Sequence, residues 1–230
     1  MARTRTDGAA RTSGPARTDG RVVRGNQTRR LILARTVEIA SVEGLEGLSL
    51  GRLASELELS KSGVFALFGS KEELQLATVR AAVKIYVEHV LRPMEELPAG
   101  IARVWRLCTG WLAYSEGRVF PGGCFFYSAS AEFGARSGKV HDALADARAD
   151  WLAYVGQTIE EARTAGELRA DTDVPQLAFE IHSFLEAANS ESVLLDDFSC
   201  YRRAAKAVHA RLHAAATDPE LLPELSTAKV

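Results

Sequence analysis

The chain has 230 residues, of which 47% are hydrophobic and 25% charged, and carries a net charge of −2. That is enough chain for one large or two small domains with a sizeable core, and the composition excludes disordered, fibrous and disulfide-dense proteins. No apolar run approaches the roughly 20 residues of a membrane helix, and three widely spaced cysteines, Cys108, Cys124 and Cys200, suit reduced thiols in a cytoplasmic setting.

Charge is unevenly distributed: residues 1–75 carry 12 basic against 9 acidic side chains, whereas residues 76–230 carry 16 against 21. Eight arginines fall within residues 1–30, interleaved with Gly, Thr and Ala. Residues 1–26 therefore read as a mobile basic arm, because they offer too little apolar surface to offset chain entropy. Gly8, Gly14, Pro15, Gly20 and Gly25 spoil an amphipathic transit helix there, and Arg35 and Glu38 interrupt the apolar stretch after Arg29-Arg30 too early for an export signal. A solvated tail and a DNA-touching arm fit this segment equally.

From residue 27 onward the pattern is helical. No proline occurs between Ala16 and Arg92, between Gly122 and Val174, or between Gln176 and Asp218. Apolar residues recur at helical spacing, as in Val140, Leu144, Trp151, Val155 and Ile159, and no alternating strand pattern is present. A first helix is predicted from Thr28 to Glu43, stopped by Gly44. Ser49 caps a short second helix, Leu50–Leu57; Ser60 caps a third, Lys61–Phe68; Ser70-Lys71-Glu72-Glu73 opens a fourth with a capping box. Two short helices joined by so tight a turn have the spacing of a helix-turn-helix, whose second helix fits a major groove about 12 Å wide.

The run from Ser49 through Gly51-Arg52-Leu53-Ala54, Ser60-Lys61-Ser62-Gly63-Val64-Phe65 and Phe68-Gly69-Ser70-Lys71 to Leu74 resembles the N-terminal signature of TetR-family transcriptional regulators. The resemblance implies an all-α protein with a three-helix DNA-binding head (residues 27–75), linked by the fourth helix to a larger helical body (76–217) for regulation and dimerisation, with residues 218–230 as a tail. It also implies DNA contacts from Arg29, Ser49, Arg52, Ser60, Lys61, Ser62, Gly63, Val64, Phe65 and Lys71, with Gly63 where backbone passes close to DNA or to the second helix. The sequence departs from the family pattern at Phe65, where a tyrosine is common, at Leu67, where a histidine is common, and at Glu58, which replaces the turn glycine. If residue 58 adopts positive φ, a non-glycine there costs about 1 kcal/mol.

Of the 17 aromatic residues, 14 lie between Trp105 and Tyr201, compatible either with an apolar cavity or with a plain helical core. Trp105, Cys108, Trp111, Leu112, Phe125, Phe126, Trp151 and Phe184 are the candidate pocket residues. Two final helices, about Thr172–Asp196 and Phe198–Thr217, suit association: Tyr201, Ala205, Val208, Leu212 and Ala215 form a coiled-coil-like stripe that could face a second copy or the subunit's own core. No nucleophile elbow, phosphate loop, Cys-x-x-Cys pair or His-Glu-x-x-His is present, and His209 and His213 lack a third ligand, so neither enzyme, metal nor cofactor is expected. The expected function is that of a homodimeric repressor, released from a palindromic double-stranded operator by a small apolar or amphipathic effector. The alternatives are a helical ligand-binding protein whose degenerate head does not bind DNA, and a helical enzyme using the aromatic pocket.

Overall fold

Three serines set the boundaries at the front of the molecule. In this computed structural model, which describes residues 20–94 and 96–225, α1 spans Gly20–Glu43, α2 Leu50–Glu56, α3 Lys61–Phe68 and α4 Lys71–Tyr86. Ser49, Ser60 and Ser70 sit in extended backbone, and each accepts a hydrogen bond from the amide three residues on, those of Arg52, Gly63 and Glu73. Each serine so satisfies an amide that has no partner inside its helix. The capping box at α4 is only half formed, because the Ser70 amide donates to the Phe68 carbonyl rather than to the Glu73 carboxylate.

α1 begins eight residues before the predicted Thr28, so residues 20–26, expected to belong to the arm, extend this helix instead. Adding a turn to an anchored helix needs no new nucleus, and each glycine in it costs only about 1 kcal/mol relative to alanine. The rest of the expected arm, residues 1–19, lies outside the described residues.

Between α2 and α3, Glu58 has φ +54°. The Leu59 amide donates to the Ala54 carbonyl and the Glu58 amide to the Ser55 carbonyl, a Schellman ending whose left-handed position is normally glycine. The turn swings α3 across α2, with Leu53 and Ala54 of one buried against Val64 and Phe68 of the other. Ile32, Thr36, Ile39 and Ala40 of α1 complete this core.

α4 runs on through a π turn at Val87–Leu91 and a 3-10 turn at Arg92–Met94. The body then consists of α5 (Ile101–Glu116), α6 (Phe125–Phe133), α7 (Lys139–Thr164), α8 (Val174–Leu194) and α9 (Ser199–Ala215), closed by a 3-10 turn at Pro219–Leu221. Among the described residues there is no strand, only an isolated bridge between Leu168 and Ala216. α8 and α9 pack as a pair over α5, and α7 lies against α4, α5, α6 and α8.

The stripe Tyr201, Ala205, Val208, Leu212 and Ala215 is fully buried within its own subunit. It therefore packs inward, and of its two possible partners the intramolecular one is realised. The apolar side chains left outside are Phe179, Val193 and Leu194 on α8, with Leu195 and Phe198 beyond its end. Behind them is a buried polar cluster. Arg118 donates to the Tyr201 hydroxyl at 2.9 Å and to Ser192 Oγ at 3.2 Å, Ser115 donates to Asn189 Oδ1, and that same oxygen accepts the Cys124 amide at 2.7 Å.

Candidate nucleic-acid interface and ligand cavity

The outward face of α3 carries Lys61, Ser62, Phe65 and Ala66, all exposed, with Gly63 beside them. Val64 is 1% exposed and belongs to the head core, so of the predicted contact residues it is the one turned away from solvent. Gly63 is exposed and does not abut α2: the one atom close to a Cβ there would be Ser60 Oγ at 2.8 Å. Ser49 and Ser60 are exposed with their side-chain oxygens engaged in capping.

The predicted cationic contacts, Lys61 apart, have internal partners. Arg29 donates to the Leu67 carbonyl at 2.6 Å and lies 4.5 Å over the Phe68 ring, closing the C-terminal end of α3. Arg52 forms a bidentate pair with Glu43 and donates from Nε to Glu56 at 2.7 Å, while Arg35 holds the other Glu56 oxygen at 3.0 Å. The hydrogen bonds from Arg52 hold the Glu43 and Glu56 carboxyls below the usual glutamate range and push its own pKa up, so the cluster stays charged near neutrality. Lys71 Nζ donates to the Glu46 carbonyl at 2.7 Å and to its carboxylate at 2.9 Å. Among the described residues, Lys61 makes no ion pair.

A cavity of about 730 Å³ opens between α4, α6, α7 and α8. Val79, Val83, Val87, Trp111, Phe126 and Trp151 form its apolar wall. At one end Arg148 donates to Glu186 at 2.6 Å and lies against His182, and the Trp151 indole N–H donates to His182 Nδ1 at 3.2 Å. Burial pushes the Glu186 carboxyl up, but His182 and Arg148 outweigh it and hold it below the ordinary value. The cavity thus joins a mainly apolar wall to the paired Arg148, His182 and Glu186, with the charged side chains of Arg80, Lys84, Asp146 and Asp150 also on its lining.

Of the eight predicted pocket residues, Trp111, Phe126 and Trp151 line this cavity. Cys108, Leu112 and Phe125 are buried in the core outside it, and Phe184 packs half-buried on that core. Trp105 borders a separate groove with Pro98, Arg106 and Leu225. Aromatic character and a shared helix face are what group these residues in the sequence, and neither property states which side of a helix meets a void. The sequence pattern does not mark the polar residues Arg148, His182 and Glu186, whose one signal is the i, i+4 pair His182 and Glu186 on α8. Cys124 lines the cavity as well, and burial pushes its thiol up and that of Cys108 up to about 12, so both are uncharged near neutrality.

Among the described residues no cluster of His, Cys, Asp and Glu could hold a metal ion, and no helix is long and apolar enough to cross a membrane. His209 contacts the Pro223 carbonyl at 3.0 Å and stacks on His213.

Residues 32–78 match the family described as bacterial regulatory proteins, tetR family, and residues 100–208 match the tetracyclin repressor-like C-terminal domain. The chain belongs to the TetR family. Its fold is that of a TetR transcriptional regulator from Chloroflexus aurantiacus (TM-score 0.78, 19% identity, 84% of this chain and 98% of that one). A transcriptional regulator from Saccharomonospora viridis in complex with choline is similar at TM-score 0.72 and 19% identity, over 84% of this chain and 100% of that one. The regulator AibR, in complex with isovaleryl coenzyme A and operator DNA, reaches 0.64 at 15% identity over 83% and 98%. A comparison with curated proteins finds no match. TetR-family proteins are DNA-binding regulators rather than enzymes, and this chain has the family's helix-turn-helix head and helical body.

In this TetR-family chain the cavity and the head share structural supports. Glu132, near the end of α6, accepts the amides of Leu45 at 2.7 Å and Glu46 at 3.0 Å in the α1–α2 loop. Gln75 of α4 donates to the Leu45 carbonyl at 3.0 Å. In the turn before α6, Gly122 donates its amide to Ser41 Oγ, and a Cβ on Gly122 would come within 1.9 Å of the Ser41 carbonyl oxygen. α4 and α6, which line the cavity, therefore also hold the segment that leads into the helix-turn-helix.

Proposed function

We propose that this TetR-family regulator is a homodimeric repressor, with a head at residues 27–75 that binds a two-fold operator and a body at 76–217 that takes up a small apolar or amphipathic effector. The observation that carries the reading is the outward stripe of α3 together with a cavity whose walls, α4 and α6, grip the α1–α2 loop. Effector in the cavity favours a placement of the two heads that no longer matches successive major grooves, and it must bind that state better by a few kcal/mol to release the operator. Phe179 and Leu194 on α8, with Phe198 beyond, supply exposed apolar surface for pairing of two copies. Regulators of this fold have been solved with choline and with isovaleryl coenzyme A, ligands too dissimilar for either to be transferred to this cavity.

The test is fluorescence anisotropy on duplexes from the DNA flanking the protein's own gene, between about 50 and 200 mM salt. Phosphate neutralisation makes affinity fall steeply with salt. The second reading, a ligand-binding protein whose head does not engage DNA, is favoured by the internal pairing of Arg29, Arg52 and Lys71; absence of salt-dependent binding would establish it.

A further inference from the structure

A base-reading face can recognise only what its own chemistry complements, and the exposed stripe of α3 is unusually apolar. Lys61 contributes one ammonium, its stem lying over Gly51, and Ser62 contributes one hydroxyl. The rest of the stripe is the phenyl ring of Phe65, 57% exposed, and the methyl group of Ala66. The ring forms one wall of a shallow recess with Lys61, and with Leu50 and Gly51 at the start of α2. Phe65 makes no aromatic or cation contact among the described residues; Arg29, Arg52 and Lys71 are held by carbonyl or carboxylate partners, which leaves the Lys61 ammonium on the rim of the recess as the cationic donor beside the ring.

In a major groove the only apolar feature is the C5 methyl group of thymine; guanine, cytosine and adenine edges there present donors and acceptors that need partners. A polar base edge pressed against Phe65 would lose water and gain nothing. We infer that Phe65, with Ala66, is a specificity-determining residue that reads thymine methyl groups, so that each half-site of the operator carries thymine opposite this ring. The inference rests on the DNA-binding reading above and adds to it the base that the apolar stripe selects.

The experiment takes full-length protein and duplexes enriched by it from a random-sequence library, then replaces each thymine of the bound half-site in turn by deoxyuridine. That exchange removes one methyl group and leaves the hydrogen-bonding edge intact. Affinity should fall about fourfold per half-site at the thymine beneath Phe65, the worth of one buried methyl group at roughly 0.8 kcal/mol, a tenfold change being about 1.4 kcal/mol. Phe65→Ala should bind more weakly and lose the distinction between thymine and uracil; Phe65→Leu should keep it. Because the side chain lies outside the core, both variants should fold, which their circular dichroism checks. Wild-type protein indifferent to uracil at every position, or a Phe65→Ala variant with an unchanged thymine-to-uracil ratio, would overturn the inference while leaving DNA binding in place. Failure to enrich any duplex would overturn both.

Discussion

Replacing Glu58 by glycine should stabilise the protein. The residue sits at φ +54°, in the left-handed position of the α2 Schellman ending, where a side chain costs about 1–2 kcal/mol. Its carboxylate is exposed and makes no hydrogen bond or ion pair among the described residues, so truncation forfeits no contact. Against the relief stands the extra freedom that glycine brings to the unfolded chain, about 0.4–1 kcal/mol. The net gain is about 0.5–1 kcal/mol, which for a chain of this size raises Tm by about 1–4 °C. Differential scanning calorimetry at fixed protein concentration measures it, since association couples to apparent stability. Glu58→Ala, which removes the side chain but keeps the left-handed strain, should leave Tm unchanged. A Glu58→Gly variant that melts at or below the wild-type temperature would refute the reasoning.

The same substitution has the opposite sign elsewhere. Arg118 also has positive φ, +50°, but its guanidinium bonds Tyr201 and Ser192 and covers Phe198; Arg118→Gly should therefore cost about 1–2 kcal/mol net in urea denaturation. Converting Glu43 and Glu56 together to glutamine frees Arg52 and removes two like charges from the DNA side, so affinity for duplex should rise at low salt and the slope of log K against log salt should steepen by about 0.9. Lowering the pH works in the same direction: both carboxyls are depressed by Arg52, so the cluster persists above the ordinary glutamate range and loosens only as pH falls through the lowered values. Glu132→Ala removes two charge-assisted bonds to the α1–α2 loop and should cost about 2 kcal/mol, with faster hydrogen exchange at the Leu45 and Glu46 amides and unchanged exchange in α8. Ala147→Phe puts a ring into the cavity; it should abolish any thermal shift by an effector and leave operator affinity unchanged in anisotropy.

What could be read from the chain alone follows from how local each determinant is. Ser49, Ser60 and Ser70 act on amides three residues away, so the helices of the head were legible to within a residue or two, and the strained turn at Glu58 was visible because one residue departs from a pattern set by backbone geometry. The start of α1 was not, since Gly20 and Gly25 argue for a break by propensity while the helix simply continues. The stripe on α9 announced a packed face but not its partner, because heptad spacing is the same for an intramolecular seam and an intermolecular one. Residue type alone cannot show that Arg52 is clasped by Glu43 from another helix, or that Arg148, His182 and Glu186 meet across α7 and α8, since both are products of tertiary placement.

The contact of Gly122 with α1 gives the joint a mechanical character. Because backbone meets backbone there, with no room for even a methyl group, that point can act as a fulcrum, while the Glu132 carboxylate, near the end of the helix that follows, serves as a crank. With one contact fixed and the other carried by a side chain, a displacement between them would turn the head instead of merely sliding it, so a distortion of the cavity wall would reach α3 as a change of angle.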